Sequence, residues 1–238
     1  MKVAEEADAR LLLATAWQIL GRTRLVDCIF NHISVSFGSG NVEGFVMNNP
    51  AFLATEASPS SAIRVDLQGQ VCENGRLNED GKALHLAVHR RMNADFCLVH
   101  LHTEATTVLS CLDLDLSPVT QVAMEFVDDV VRVPYTGLLR TGTESIETVA
   151  TIVSRGEIAL LENHGFVVGA ENVAEVVYLA YYFDEACRHI LNLSGMAPRA
   201  AMIAPSRSVV METAAHMRAD RPHAAKMLFE ALKRSFGL

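Results

Sequence analysis

Two histidines one residue apart, His100 and His102, close the apolar run Leu98-Val99-His100-Leu101-His102-Thr103-Glu104. Side chains of a β-strand alternate between faces, so these two imidazoles stand side by side while Leu101 turns into the core. Such a pair is a two-toothed clamp for a divalent cation. A third imidazole, His164 in Asn163-His164-Gly165, directly follows a second apolar run, Ile158-Ala159-Leu160-Leu161. If the two runs share a sheet, the three rings can converge, and a cation held by three neutral histidines keeps positions open for a substrate. The plainer alternative is that some of the nine histidines in the chain fall at this spacing by chance and serve only as packing.

The elements that must position these residues can be read from periodicity. Ala9, Leu12, Leu13, Ala16, Trp17 and Leu20 recur at helical spacing between Glu5 and Leu20, with Gly21 as a stop. Ile33, Val35 and Phe37 alternate with polar residues in a strand over Phe30–Phe37 that ends at Gly38-Ser39-Gly40, and Gly44–Met47 reads as its hairpin partner. Residues 48–61 are loop-like, Ile63–Leu67 alternates again, and Asn78 caps a helix reaching Met92. After the His-x-His strand the pattern predicts a short helix through Thr106, Leu109 and Ser110, a loop over Leu112–Leu116, and a helix from Pro118 to about Phe126. Further strands are expected at Val130–Val133, Ile158–Leu161 and Phe166–Val168, with helices at Ser145–Arg155, Val173–Leu193 and Ser208–Phe236, the last broken near Pro222. Short strands followed by alternating strands and helices predict an α/β layered domain with a mixed, mainly antiparallel central sheet.

Composition narrows the function classes. Half of the 238 residues are hydrophobic and a fifth are charged, enough for one sizeable core; a single domain over residues 1–238 is expected, with 208–238 as a C-terminal helical extension. A formal net charge of −8 without clustered Lys and Arg argues against nucleic acid or an anionic membrane as partner. No apolar run reaches the length of a membrane span, and the start of the chain is acidic and helical rather than signal-like. Cys28, Cys72, Cys97, Cys111 and Cys187 are scattered and odd in number, which points to a reduced, cytoplasmic protein. Neither a Gly-x-Gly-x-x-Gly after a strand nor a Walker-type Gly-Lys-Ser/Thr occurs, so common nucleotide binding is unsupported.

Taken in order, Asn31-His32-Ile33-Ser34, Val65-Asp66-Leu67-Gln68-Gly69, Leu84-His85, Val99-His100-Leu101-His102 and Leu160-Leu161-Glu162-Asn163-His164-Gly165 resemble the class II aldolase and adducin head-domain family, from about Glu5 to Asn192. The resemblance implies that His100, His102 and His164 bind a divalent metal, zinc above all with manganese or iron as alternatives. It also implies a homotetramer with its sites at subunit boundaries. Sugar-phosphate aldolases of the family carry a glutamate four residues before the helical histidine; that position is Gly81 here. Their Gly-Asn pair, Thr-Pro-x-Gly loop and Ser-Ser pair, which hold phosphate, correspond to Asn31-His32, Asn49-Pro50-Ala51-Phe52 and Glu79-Asp80. Two carboxylates in place of two hydroxyls would oppose a phosphate dianion by something on the order of several kcal/mol in a shielded pocket. These departures look like the decarboxylase-like and oxygenase-like branches, some of which act on unphosphorylated hydroxylated acids.

The expected function is therefore a metal-dependent carbon–carbon lyase, of decarboxylase or aldolase type, acting on a non-phosphorylated and possibly aromatic hydroxy- or keto-acid. With Gly81 in place of the glutamate, the candidates for moving a proton are Glu125, Tyr135 and His32, each of which also reads plainly as a solvated or packed side chain. Asn31, His32, Ser34 and Asn49 are the expected substrate contacts. His85 and His89 share a helix face at a spacing that can bind metal; His85 is expected as a buried supporting residue and His89 at the surface. Glu104 and Glu162 adjoin the ligand motifs but point elsewhere on a strand. A non-haem iron oxygenase is the first alternative. A non-catalytic adducin-like scaffold is the second, and retention of all three histidines argues against it.

Overall fold

Strand β4 (Cys97–Leu101), which carries the first of the paired histidines, lies in the middle of a seven-stranded sheet. In chain order the others are β1 (His32–Phe37), β2 (Gly44–Met47), β3 (Ile63–Asp66), β5 (Val130–Val133), β6 (Ile158–Leu161) and β7 (Gly165–Ala170). The spatial order is β3-β2-β1-β4-β7-β6-β5, antiparallel throughout except for the β5–β6 pair. The computed structural model describes residues 5–38, 42–92, 95–137, 144–196 and 202–238. The Ser39-Gly40 part of the expected turn lies outside them.

Alternation along the strands builds two cores. Ile33, Val35, Val99, Leu101, Phe166 and Val168 face α1 (Glu6–Arg22), α3 (Glu104–Ser110), α6 (Val173–Met196) and α7 (Arg207–Phe236). Leu98, Ala159, Leu161 and Val167 face the opposite way, under α2 (Glu79–His89) and α5 (Glu144–Ser154). Burying both faces is what makes these strands read as near-continuous apolar runs. His32 pairs with His100 across β1 and β4, so both rings project from the face that α2 covers. No helix among the described residues is long and apolar enough to cross a membrane.

Four local expectations need correction. Gly21 does not stop α1, which runs on to Arg22; a Cβ at Gly21 would sit 2.7 Å from the Ala54 Cβ, so the glycine serves close packing against the 3-10 turn Ala54–Glu56. The strand expected from Phe30 begins at His32, because residues 28–30 form a turn. The helix expected from Pro118 is α4 (Gln121–Met124), since the Thr120 hydroxyl accepts from the Ala123 N–H at 3.2 Å and sets the N-terminus there. Finally, α7 continues through Pro222. Arg218 on its near side reaches the Glu125 carbonyl at 3.0 Å and Asp129 at 3.0 Å, and Arg221 pairs with Glu125 at 2.7 Å. These contacts and the burial of Ala214, Ala225 and Phe229 offset the roughly 3 kcal/mol a helix-interior proline costs.

Between β6 and β7 the chain turns in three residues, with Asn163 at φ 57°, a left-handed conformation that asparagine tolerates. At Gly165 a Cβ would lie 2.3 Å from the Leu101 carbonyl oxygen, backbone that cannot yield cheaply. Gly165→Ala is accordingly expected to pry β7 from β4, lowering stability by about 1–3 kcal/mol in a denaturant titration and weakening metal retention with it; unchanged stability would contradict the tight β4–β7 approach.

Candidate metal centre and its cavity

Two of the three imidazoles are held from behind by hydrogen bonds to the ring, and the third residue, His164, is held through its backbone. On β4, His100 donates from Nδ1 to the Phe166 carbonyl on the adjoining strand at 2.9 Å. Just past the strand end, His102 donates from Nδ1 to the Asp27 carboxylate at 3.2 Å. His164 sits in the β6–β7 turn, which α3 clamps: Thr107 Oγ1 donates to the His164 carbonyl at 3.1 Å, and the His164 N–H donates to Ser110 Oγ at 3.2 Å. With protons fixed at Nδ1, His100 and His102 turn lone-pair-bearing Nε2 atoms toward each other, 2.8 Å apart. Two such lone pairs repel unless a cation lies between them. The ligating nitrogens of all three histidines lie within 4.8 Å of one another, and the His164 ring centroid is 4.8 Å from that of His100 and 4.6 Å from that of His102. This donor set fits a divalent cation of the zinc type.

Electrostatics keep the cluster neutral. Burial is the main cause that holds His100 well below the usual histidine range, reinforced by His32, His102 and His164 and opposed by the Phe166 carbonyl. Burial also lowers His102, against the opposing Asp27 carboxylate, and lowers His164 to about 4, with His102 contributing. Neutral imidazoles are what a cation requires.

The histidines open onto a cavity of about 190 Å³. At about 30 Å³ per water molecule, this suits a small organic molecule. His32 forms one wall, with Gly81, Asn78 and Asp80 from the start of α2; Phe30 and Leu84 supply apolar surface. No Lys or Arg lines it among the described residues. Asp80 places a carboxylate on the wall, whereas Glu79 is exposed and pairs with Lys82 at 2.7 Å, so one of the two expected acidic side chains reaches the cavity.

The absence of the family glutamate has a steric counterpart. A Cβ at position 81 would lie 2.8 Å from both Cδ2 and Nε2 of His32. The His32 ring thus occupies the space that a side chain at 81 would enter, and such a side chain would require the ring to move.

The other expected site residues scatter. Tyr135 is 54% exposed and borders a shallow cleft on the far side of His164, beside Pro134 and Glu162. Glu125 is fully buried on the α6–α7 side of the sheet, accepting from the Tyr178 hydroxyl at 2.9 Å and pairing with Arg221; it does not line the cavity. Asn31 is buried, its Oδ1 accepting from the Asp27 N–H at 2.7 Å, which closes the turn that presents Asp27 to His102. Asn49 caps its own loop by accepting from the Ala51 N–H at 3.0 Å, outside the cavity lining. Ser34 is fully buried between His85 and His89. His89, expected at the surface, is fully buried, because α2 lays it against Phe45. Asp27 is the functional residue that sequence reasoning missed: it lies 75 positions from His102 and no local spacing marks it.

The family described as Class II Aldolase and Adducin N-terminal domain matches residues 12–191. The chain belongs to the class II aldolase and adducin family. Mouse alpha-adducin is 31% identical over 163 residues, 67% of this chain and 22% of that protein, so the chain spans about a fifth of this relative. Among solved structures, an aldolase II superfamily protein from Pseudomonas syringae aligns with a TM-score of 0.82 at 22% identity, covering 97% of this chain and 94% of that one. An L-fuculose 1-phosphate aldolase from Glaciozyma antarctica aligns at 0.81 and 19% identity, covering 98% and 91%. At these identities the two structures establish the shared fold.

Two outcomes are expected. Asp27→Asn should weaken zinc binding by about 10–100-fold in a competition titration with a chromophoric chelator, through loss of the carboxylate behind His102. The second concerns acid. Burial lowers His89 to about 3 from an ordinary value of 6.5, so between those values the unfolded chain binds the extra proton and stability is lost as pH falls. Chemical unfolding of the metal-free protein should show a slope that His89→Gln reduces by up to about 1.4 kcal/mol per pH unit within that window.

Proposed function

We propose that this protein is a divalent-metal-dependent carbon–carbon lyase, of decarboxylase or aldolase type, whose substrate is a small, non-phosphorylated hydroxy- or keto-acid. The observation that carries the reading is the convergence of three imidazoles with their ligating nitrogens within 4.8 Å, at a cavity that among the described residues has Asp80 on its wall and no Lys or Arg. His100, His102 and His164 would hold a divalent cation, zinc in the first instance with manganese or iron as alternatives, which would supply Lewis acidity toward the oxygens of the substrate. His32, whose ring centroid lies 4.8 Å from that of His100, meets the substrate beside the cation. Phe30 and Leu84 accept the apolar or aromatic part, and the Asp80 carboxylate disfavours a phosphate dianion. Tyr135 borders a separate cleft beyond His164, outside the lining of this cavity, and has no part in proton transfer within this chain. Glu125, tied to Tyr178 and Arg221, anchors α7 and takes no part in the chemistry.

Phe30, 61% exposed beside the cavity, supports a homotetramer in which a neighbouring subunit completes the wall. The free cysteines support a reducing, cytoplasmic setting. Identity to alpha-adducin supports a second reading, a non-catalytic scaffold. A non-haem iron oxygenase would use the same three imidazoles with iron and dioxygen.

The test is turnover of a panel of unphosphorylated hydroxy- and keto-acids and sugar phosphates by protein reconstituted with zinc, manganese or iron, under air and under nitrogen. The lyase reading expects cleavage of an unphosphorylated acid that persists under nitrogen and disappears in His100→Ala together with the bound metal. Activity confined to sugar phosphates contradicts the substrate class, strict oxygen dependence points to the oxygenase, and metal retention without turnover of any compound points to the scaffold.

A further inference from the structure

Behind His32 a chain of polar side chains runs into the interior between the sheet and α2. His32 Nδ1 lies 2.7 Å from His85 Nε2, His85 Nδ1 lies 2.5 Å from Ser34 Oγ, and Ser34 Oγ lies 2.6 Å from His89 Nε2. All four residues are buried, and the chain ends at His89 Nδ1, which is buried with no hydrogen-bond partner among the described residues. The His89 ring is stacked on Phe45 with centroids 4.5 Å apart and meets the edge of Phe96, an apolar dead end.

That dead end sets the direction of every bond. A neutral imidazole has one N–H and one lone pair, and a buried N–H left without an acceptor is rarer in proteins than a buried acceptor left idle. The His89 proton therefore sits on Nε2 and donates to Ser34 Oγ. Ser34 has one hydroxyl proton, which must then go to His85 Nδ1. With Nδ1 accepting, His85 carries its proton on Nε2 and donates it to His32 Nδ1. His32 is left with its proton on Nε2, the atom that lies beside Gly81 at the cavity.

We infer that Ser34, His85 and His89 are positioning residues that lock His32 in the Nε2–H tautomer, so that it presents a hydrogen-bond donor to a substrate oxygen and is not a fourth metal ligand. This rests on reading His100, His102 and His164 as the cation site. An N–H held in a low-dielectric wall beside the cation site, its ring centroid 4.8 Å from that of His100, would stabilise negative charge that develops on a substrate oxygen, without itself transferring the proton. Gly81 belongs to the same device, since any side chain there would displace the ring.

The test is nitrogen NMR of the protein labelled with 15N-histidine, metal-free and zinc-loaded, with the His32 signals assigned by their loss in His32→Gln. The expected result in both states is a protonated Nε2 and an unprotonated Nδ1. A His32 protonated on Nδ1, or an Nε2 that shifts to a metal-bound nitrogen when zinc is added, overturns the inference. Ser34→Ala, which cuts the chain, should replace the single tautomer by a mixture; a His32 that stays wholly Nε2–H there shows that the chain does not set it and also overturns the inference. His89→Gln and His89→Leu repeat the comparison at the far end: glutamine, which keeps a donor near Ser34, should preserve the tautomer and leucine should lose it, and equal behaviour of the two contradicts the proposed direction. Because the metal-free protein reads the tautomer by itself, failure to bind zinc would count against the cation site and not against the chain.

Discussion

Two imidazole lone pairs facing each other across 2.8 Å are the constraint on which the rest of this molecule depends. They are held there because the other nitrogen of each ring is committed, to the Phe166 carbonyl for His100 and to the Asp27 carboxylate for His102. Left alone, that arrangement is repulsive and desolvated, and burial denies it relief by protonation. A cation removes the repulsion, and the fold spends much of its central sheet keeping the geometry in place. Antiparallel pairing of β4 with β7 brings Leu101 opposite Phe166, so that the turn carrying His164 arrives beside the His-x-His strand end. The left-handed Asn163 and the missing side chain at Gly165 let the turn close that tightly.

The second organising feature is an exchange between one residue and another. Position 81 on α2 lacks a side chain, and the ring of His32, arriving from β1, fills the space. Where the family resemblance leads one to expect an acidic group, a neutral ring faces the cavity. On the proposed reading the consequence is electrostatic: three neutral ligands would leave a bound cation's charge undiminished, and the Asp80 carboxylate at the cavity wall would disfavour a doubly charged phosphate.

Much of this was legible in the sequence where chemistry and periodicity coincide. The i, i+2 histidines on an apolar run have one reading on a strand, and the second run before His164 needed only a shared sheet to bring it near. What sequence could not carry were contacts between distant segments. Asp27 is tied to His102 across 75 residues. The burial of His89 depends on which face of α2 meets Phe45 on β2, a fact of tertiary packing with no local marker. Ser34, expected as a substrate contact within the Asn31-His32-Ile33-Ser34 motif, is instead buried under α2 between His85 and His89. Pro222 would end a helix in isolation; the arginines at 218 and 221, clasped to α4 and its following turn, hold α7 continuous.

The most direct test of the shared cation is X-ray absorption at the zinc edge on protein reconstituted with one equivalent of zinc. The geometry predicts three imidazole nitrogens at about 2.0–2.1 Å, with one imidazole lost from the spectrum in His164→Ala. Zinc that washes away, or a spectrum of the wild-type protein that is unchanged by removing His164, would contradict the convergence of the three rings on one ion.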